Sequence, residues 1–194
     1  KKMAVYPGTF DPLTFGHFDL IERSASIFSR LMVAVAAYTT RGNGMFSLVA
    51  RMEMVREAVS GLPGVTVEPL DCLLVDFCRR HKVNVVIRGL RSYSDFEYEF
   101  QMALTNRRLE PGIETLFMMP QEEHSYVTAS TVREVARYGG DTSSFLPASV
   151  QRHVERFMRE NPGQRLVAQG GRASGSGAFD RCCRAAGARR RDLR

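Results

Sequence analysis

Residues 6–17 read YPGTFDPLTFGH, with two glycines, hydroxyl side chains and a histidine between an apolar run and a segment of helical period. Gly8 permits close approach of a ligand to the backbone, and the Thr9 hydroxyl beside it can bind a phosphate oxygen. Exposed amides in such a loop, or at the start of the following helix, attract anions. His17 opens that helix, where a lone histidine reads either as a capping or core residue or as a hydrogen-bond donor to phosphate. A second cluster, Arg88-Gly89-Leu90-Arg91, follows VNVVI. Guanidinium groups hold phosphate oxygens bidentately and stay charged, although the same two arginines could form surface ion pairs. A third stretch, HSYVTASTVREVA, sets Thr128, Ser130 and Thr131 at a helix start, where hydroxyls usually act as caps.

Short β-rich apolar runs alternate with helix-period segments along the chain, which predicts a parallel sheet with crossover helices. Strands are expected at 3–6, 31–38, 65–70, 83–87 and 114–119. Helices are expected at 17–29, 48–60, 72–81, 94–109, 129–138 and 148–160. In five-stranded α/β sheets of this kind, ligands bind beyond the carboxyl ends of the strands. Each of the three clusters above follows a predicted strand. On the helix after the second cluster, Asp95, Glu99, Met102 and Asn106 share one stripe, a wall of mixed polarity that suits a ligand or an exposed face.

The formal charge of +6 invites a nucleic-acid reading until it is located. Residues 165–194 contain eight arginines and two aspartates, so the whole excess resides there and 1–164 is neutral. That tail, rich in Gly, Arg, Ala and Ser, has too few large apolar residues to order itself, and is expected to be disordered. The globular domain is assigned to 1–164. The four cysteines, Cys72, Cys78, Cys182 and Cys183, lack the spacing of a zinc clip and are expected to be reduced thiols. No run reaches the length of a membrane span, and the start lacks a secretory leader, so a cytoplasmic location is expected.

The segment Thr14-Phe15-Gly16-His17 resembles the (H/T)xGH signature of the nucleotidyltransferase superfamily. Preceded by YPGTFDP, and with IRGLRSYSDFEYE and the hydroxyl-rich third loop in the same order, it is similar to the bacterial phosphopantetheine adenylyltransferases. The resemblance runs from Ala4 to about Glu160. It implies a Rossmann-like nucleotidyltransferase fold and transfer of AMP from ATP to 4′-phosphopantetheine, giving dephospho-coenzyme A and pyrophosphate.

Site roles follow from the resemblance, position by position. It implies that Thr9 contacts both substrates, that Phe10 lines the ATP site, and that His17 stabilises the transition state at the α-phosphate. Arg88 would hold the acceptor's phosphate, with Leu74, Asn106 and Arg41 also on the acceptor. Gly89, Leu90, Arg91 and Glu99 would belong to the ATP site, together with His124, Ser125, Tyr126, Val127, Thr128, Ala129 and Ser130. Three positions depart from the family pattern: Arg41 replaces a lysine, His124 a larger aromatic residue, and Ala129 a hydroxyl. The resemblance further implies Mg2+ arriving with ATP and no protein ligand for it, a homohexamer, and feedback inhibition by coenzyme A.

Two other readings remain open in the sequence. One is a sibling nucleotidyltransferase with another phosphorylated acceptor, a choice resting on Arg88, Leu74 and Asn106. The other is a nucleic-acid-binding module working through the basic tail, which the neutral main domain disfavours.

Overall fold

The computed structural model describes residues 2–38 and 44–166. Arg41 and nearly all of the arginine-rich tail therefore lie outside the described residues. Five strands alternate with helices: β1 (Met3–Gly8), α1 (Phe15–Ile27), β2 (Arg30–Ala36), α2 (Leu48–Val59), β3 (Val65–Leu70), α3 (Leu74–His81), β4 (Val85–Gly89), α4 (Tyr93–Leu109) and β5 (Glu114–Met118). A one-turn α5 (Glu122–Ser125), α6 (Ala129–Arg137) and α7 (Ala148–Glu160) follow.

All pairings are parallel, in the order β3-β2-β1-β4-β5. The chain thus lays β1 centrally, builds outward through β2 and β3, then returns to the other side of β1 with β4. The order reverses between β1 and β4, the place where open α/β sheets form a crevice at their carboxyl ends. Val5 lies opposite Val86, which brings Arg88 level with Pro7, two residues before Thr9.

Alternate residues along each strand enter different layers, as the period of two requires. Ala4, Tyr6, Leu31, Val33, Val35, Val85 and Ile87 join one core with residues of α1, α2, α6 and α7. Val5, Met32, Ala34 and Val86 join a second core with Val75, Phe77 and Cys78 of α3. Burying each such Val, Leu or Ile stabilises the fold by about 1.5–3 kcal/mol relative to exposure.

Caps, strand register and side-chain contacts set several boundaries that differ from expectation. α1 begins at Phe15, two residues early, because Thr14 caps it and its backbone and side chain pair with His17. β1 continues through Pro7 and Gly8, which stand in register with Ala34 and Val35. β2 stops at Ala36, where its carbonyl is taken by the Arg51 side chain. The single turn of α5 has no apolar period to announce it, and it falls in a stretch that the sequence predicts as loop.

Candidate active site

His17 sits in the first turn of α1, at the mouth of the crevice. Its Nδ1 accepts the Thr14 backbone N–H at 3.1 Å, while Thr14 Oγ1 accepts the His17 N–H at 3.5 Å. A ring nitrogen that accepts an amide proton carries no proton itself, so the neutral ring bears its hydrogen on Nε2. Burial holds the His17 pKa down to about 4, with Arg91 and Arg88 pushing the same way. The imidazole is therefore neutral at pH 7 and presents Nε2–H as a donor. Capping and phosphate donation, alternatives in the sequence, are compatible roles of the two ring nitrogens.

Beneath the ring lies Phe10, which contacts His17 edge to face at 5.3 Å between centroids and Tyr6 at 5.6 Å. Phe10 is buried in the first core, and its φ of 50° is left-handed, an arrangement that costs about 1–3 kcal/mol for a bulky residue. The ring therefore supports His17 and Gly8 from below, and Phe10 has its backbone to offer a nucleotide. Gly8 is required by this packing: a Cβ there would stand 2.6 Å from the Phe10 ring. Tyr6, buried at the same strand end, has its phenol pushed up to about 12 by burial, against the opposing pull of Arg88 and Arg91.

At the end of β4, Arg88 is not a free cation. Its Nε and Nη2 donate to the two Glu99 carboxylate oxygens at 2.6 Å each, and Nη1 donates to Pro7 O at 2.8 Å. Burial works against its charge, but the Glu99 hydrogen bonds and charge outweigh it, so the pKa is raised. This fork fixes the plane of the guanidinium beside the Thr9 loop. Arg91, one turn of chain further, is exposed and pairs with Asp95 at 3.1 Å.

His124 and Ser125 belong to α5, which follows β5, and Tyr126 stands at its C-terminal end. The His124 ring stacks on Phe15 at 5.3 Å with an 18° tilt. Its carbonyl oxygen would stand 3.2 Å from a Cβ on Gly16, so the glycine of the (H/T)xGH segment lets this stretch rest on α1. Asp19, buried on α1, accepts the Gln121 N–H and an Arg23 N–H at 3.1 Å each, and Arg23 also donates to Met119 O at 2.7 Å. Val127 enters the core, while Thr128 caps α6 by accepting the Thr131 N–H at 3.0 Å. Ala129 and Ser130 form the first turn of α6, where backbone amides are free to meet an anion.

Leu74 and Asn106 stand apart from this cluster. Leu74 opens α3 and packs on the second core. Asn106, buried, lies seven residues beyond Glu99, about 10 Å further along α4. The ion pair of Arg88 with Glu99 joins a residue expected on the acceptor to one expected on ATP, so the two sets meet at the end of β4.

Two buried groups escaped the sequence reading. The Asp11 carboxylate accepts the Met45 and Phe46 N–H groups at 2.8 and 2.9 Å. Arg133 of α6 reaches its carboxylate at 3.7 Å, donates to its carbonyl, and donates to Ser130 Oγ at 3.1 Å. Arg51 donates to the carbonyls of Thr9, Ala36 and Phe46 at 2.7, 2.8 and 3.2 Å. The signal for Asp11 was its place in YPGTFDP; Arg51 gave none, because a charged residue in an amphipathic helix reads as solvated.

Residues 5–135 match the family described as Cytidylyltransferase-like. A phosphopantetheine adenylyltransferase of Alkalilimnicola ehrlichii is 52% identical over 155 residues, covering 79% of this chain and 89% of the relative.

Proposed function

The chain belongs to the cytidylyltransferase-like family and is an adenylyltransferase of coenzyme A biosynthesis; on that premise we propose how its residues carry AMP from ATP to 4′-phosphopantetheine. A terminal phosphate oxygen of the acceptor attacks the α-phosphorus, a new P–O bond forms, and the bond to the bridging oxygen breaks. Pyrophosphate leaves and dephospho-coenzyme A remains. The nucleophile is already anionic, so the protein's task is to align charges of one sign and stabilise what develops at the α-phosphate.

The observation that carries this reading is the His17 tautomer. With Nδ1 engaged by Thr14 N–H, the Nε2 proton is fixed toward the crevice, beside the two arginines that depress the ring's pKa. Nε2–H donates to an α-phosphate oxygen more strongly as charge grows there. Thr9 contacts both substrates between the two layers, with the Phe10 backbone next to it on the ATP. Arg88, held flat by Glu99, offers its remaining N–H groups to the acceptor's phosphate, and Leu74 and Asn106 line the path of the pantetheine arm. Arg41 adds a further cation for the acceptor. Gly89, Leu90, Arg91 and Glu99 flank the nucleotide, with His124, Ser125, Tyr126, Val127, Thr128, Ala129 and Ser130 around its base and outer phosphates.

Mg2+ arriving with ATP would be held by phosphate oxygens and water and would supply charge neutralisation on the phosphates. Coenzyme A, which shares the pantetheine arm, would compete for the same crevice. The exposed apolar side chains of α4 and β5, among them Phe96, Phe100, Leu104, Leu109 and Leu116, favour assembly, and a homohexamer is the proposed form. No helix among the described residues is long and apolar enough to cross a membrane, and the proposed location is the cytoplasm.

The test is pyrophosphate release from ATP and magnesium with and without 4′-phosphopantetheine, comparing the full chain with His17→Ala and with a truncation after Gln164. Release that needs the acceptor and His17 supports the assignment. Release with a different phosphorylated acceptor only would transfer it to a sibling activity, and RNA or DNA binding lost on truncation would give the tail a role of its own.

A further inference from the structure

Arg51 is 5% exposed, yet it carries a charge through the second turn of α2 into the space behind Thr9. Its three hydrogen bonds end on three separate segments: the loop after β1, the last residue of β2, and the entry to α2. Burial lowers its pKa, with Asp11 opposing that shift. Asp11 binds the same entry from the other side, through the amides of Met45 and Phe46, so Phe46 is held by its N–H to Asp11 and by its carbonyl to Arg51. Gly44 permits this closeness, since a Cβ there would meet Asp11 Oδ2 at 2.9 Å.

An apolar side chain of similar size could fill this volume without the desolvation cost of a guanidinium. What an apolar residue could not do is hold the Thr9 carbonyl. Thr9 is itself half-buried and lines, with Asp11, Met45, Ser47 and Arg51, an open cavity of about 340 Å³ at the strand ends. Its backbone is fixed by Arg51 from one side while Arg88 holds the neighbouring Pro7 carbonyl from the other. Two arginines, one in each layer, thus grip the backbone on either side of Gly8.

We propose that Arg51 is a positioning residue for adenylyl transfer: by clamping the Thr9, Ala36 and Phe46 carbonyls it sets the Thr9 hydroxyl where the reacting phosphates meet. The role rests on the proposed function above, and Arg51 itself touches neither substrate. Misplacement of a substrate-contacting group by about 1 Å costs roughly a hundredfold in rate. Lysine keeps the charge but has a single nitrogen with no planar fork, so it cannot span three carbonyls in this geometry.

The decisive experiment is a double-mutant cycle on the full chain with Arg51→Lys and Thr9→Ala, reading kcat and both KM values, with thermal unfolding of each variant. Arg51→Lys is expected to lower kcat by about tenfold to a hundredfold, with ATP KM moving by less than about threefold. In the Thr9→Ala background the same change is expected to cost no more than about twofold, because the group it positions is gone. An unchanged kcat in Arg51→Lys overturns the proposal, and so does a loss of equal size in both backgrounds, which would mark a purely structural clamp. Amide hydrogen exchange supplies a readout free of catalysis: Met45 and Phe46 should exchange faster in Arg51→Lys while core β1 and β2 amides do not. Equal exchange rates overturn the clamp. A wild-type chain inactive with 4′-phosphopantetheine would instead overturn the functional assignment, leaving the exchange result to decide whether Arg51 holds the loop.

Discussion

Glu99 receives Nε and Nη2 of Arg88 at 2.6 Å each, so the cation that the sequence offers to a phosphate is already engaged by a buried carboxylate. The pair spans β4 and α4, and its third bond, to Pro7 O, ties both to the end of β1. A guanidinium held this way has lost its rotational freedom before any substrate arrives, which reduces the ordering cost of binding.

Arg88→Ala should therefore do two things. It should raise the KM for the acceptor by at least about tenfold, through the lost charge-assisted bonds to phosphate. It should also destabilise the fold by about 3 kcal/mol, because Glu99 is left buried without its partner. Steady-state kinetics with the acceptor varied, together with urea unfolding, check both; a selective loss of ATP affinity would reverse the assignment of Arg88 to the acceptor.

Glu99→Gln separates orientation from charge. The amide accepts through one oxygen only, so the fork is broken while the shape is kept. Acceptor KM should rise by roughly threefold to tenfold, with a smaller stability loss than for Arg88→Ala. Isothermal titration with the acceptor alone measures it directly.

His17→Ala should lower kcat by roughly a hundredfold or more with the fold preserved, since the bond to the α-phosphate matters most in the transition state. Single-turnover pyrophosphate release, with circular dichroism as the control for folding, tests this. An unchanged rate would leave His17 as the cap of α1 alone.

The ring's titration is a separate check. Its pKa is lowered from 6.5 to about 4, so the unfolded chain binds the proton first as pH falls. The stability associated with a neutral His17 is therefore present above pH 6.5 and is lost progressively as pH falls from there through about 4. Proton NMR of the His17 ring should give a midpoint near 4; a midpoint near 6.5 would mean that the ring is solvated and that Nδ1 is not held by Thr14.

Gly16→Ala places a Cβ 3.2 Å from the His124 carbonyl, so the segment resting on α1 must move by a few tenths of an ångström. Because that segment is assigned to the nucleotide, ATP KM should rise several-fold, to about tenfold, while acceptor KM changes little. Kinetics with each substrate varied in turn distinguish this from a general loss of folding, which would lower kcat and leave the two KM values in proportion.

Much of this site was legible in the chain itself. The alternation of apolar runs and helix-period segments determined the parallel α/β sheet, because burial on both faces requires it and crossover helices follow. Gly8, Gly16, His17 and the Arg88–Arg91 stretch led the sequence to an expected phosphate site by residue type and local spacing, and Thr128 announced the start of α6. Only the tertiary structure decided which His17 nitrogen faces the crevice, that the Phe10 ring lies beneath it in the core, and that Arg88 is paired with Glu99. The same holds for Asp11 and Arg51, whose partners lie 34 to 42 residues away for Met45, Phe46 and Thr9. Such bonds join segments that meet only after the sheet has assembled, and no periodicity within one segment encodes them. A buried arginine on an amphipathic helix has the same local sequence as a solvated one, and the difference arises from what the neighbouring strands bring to it.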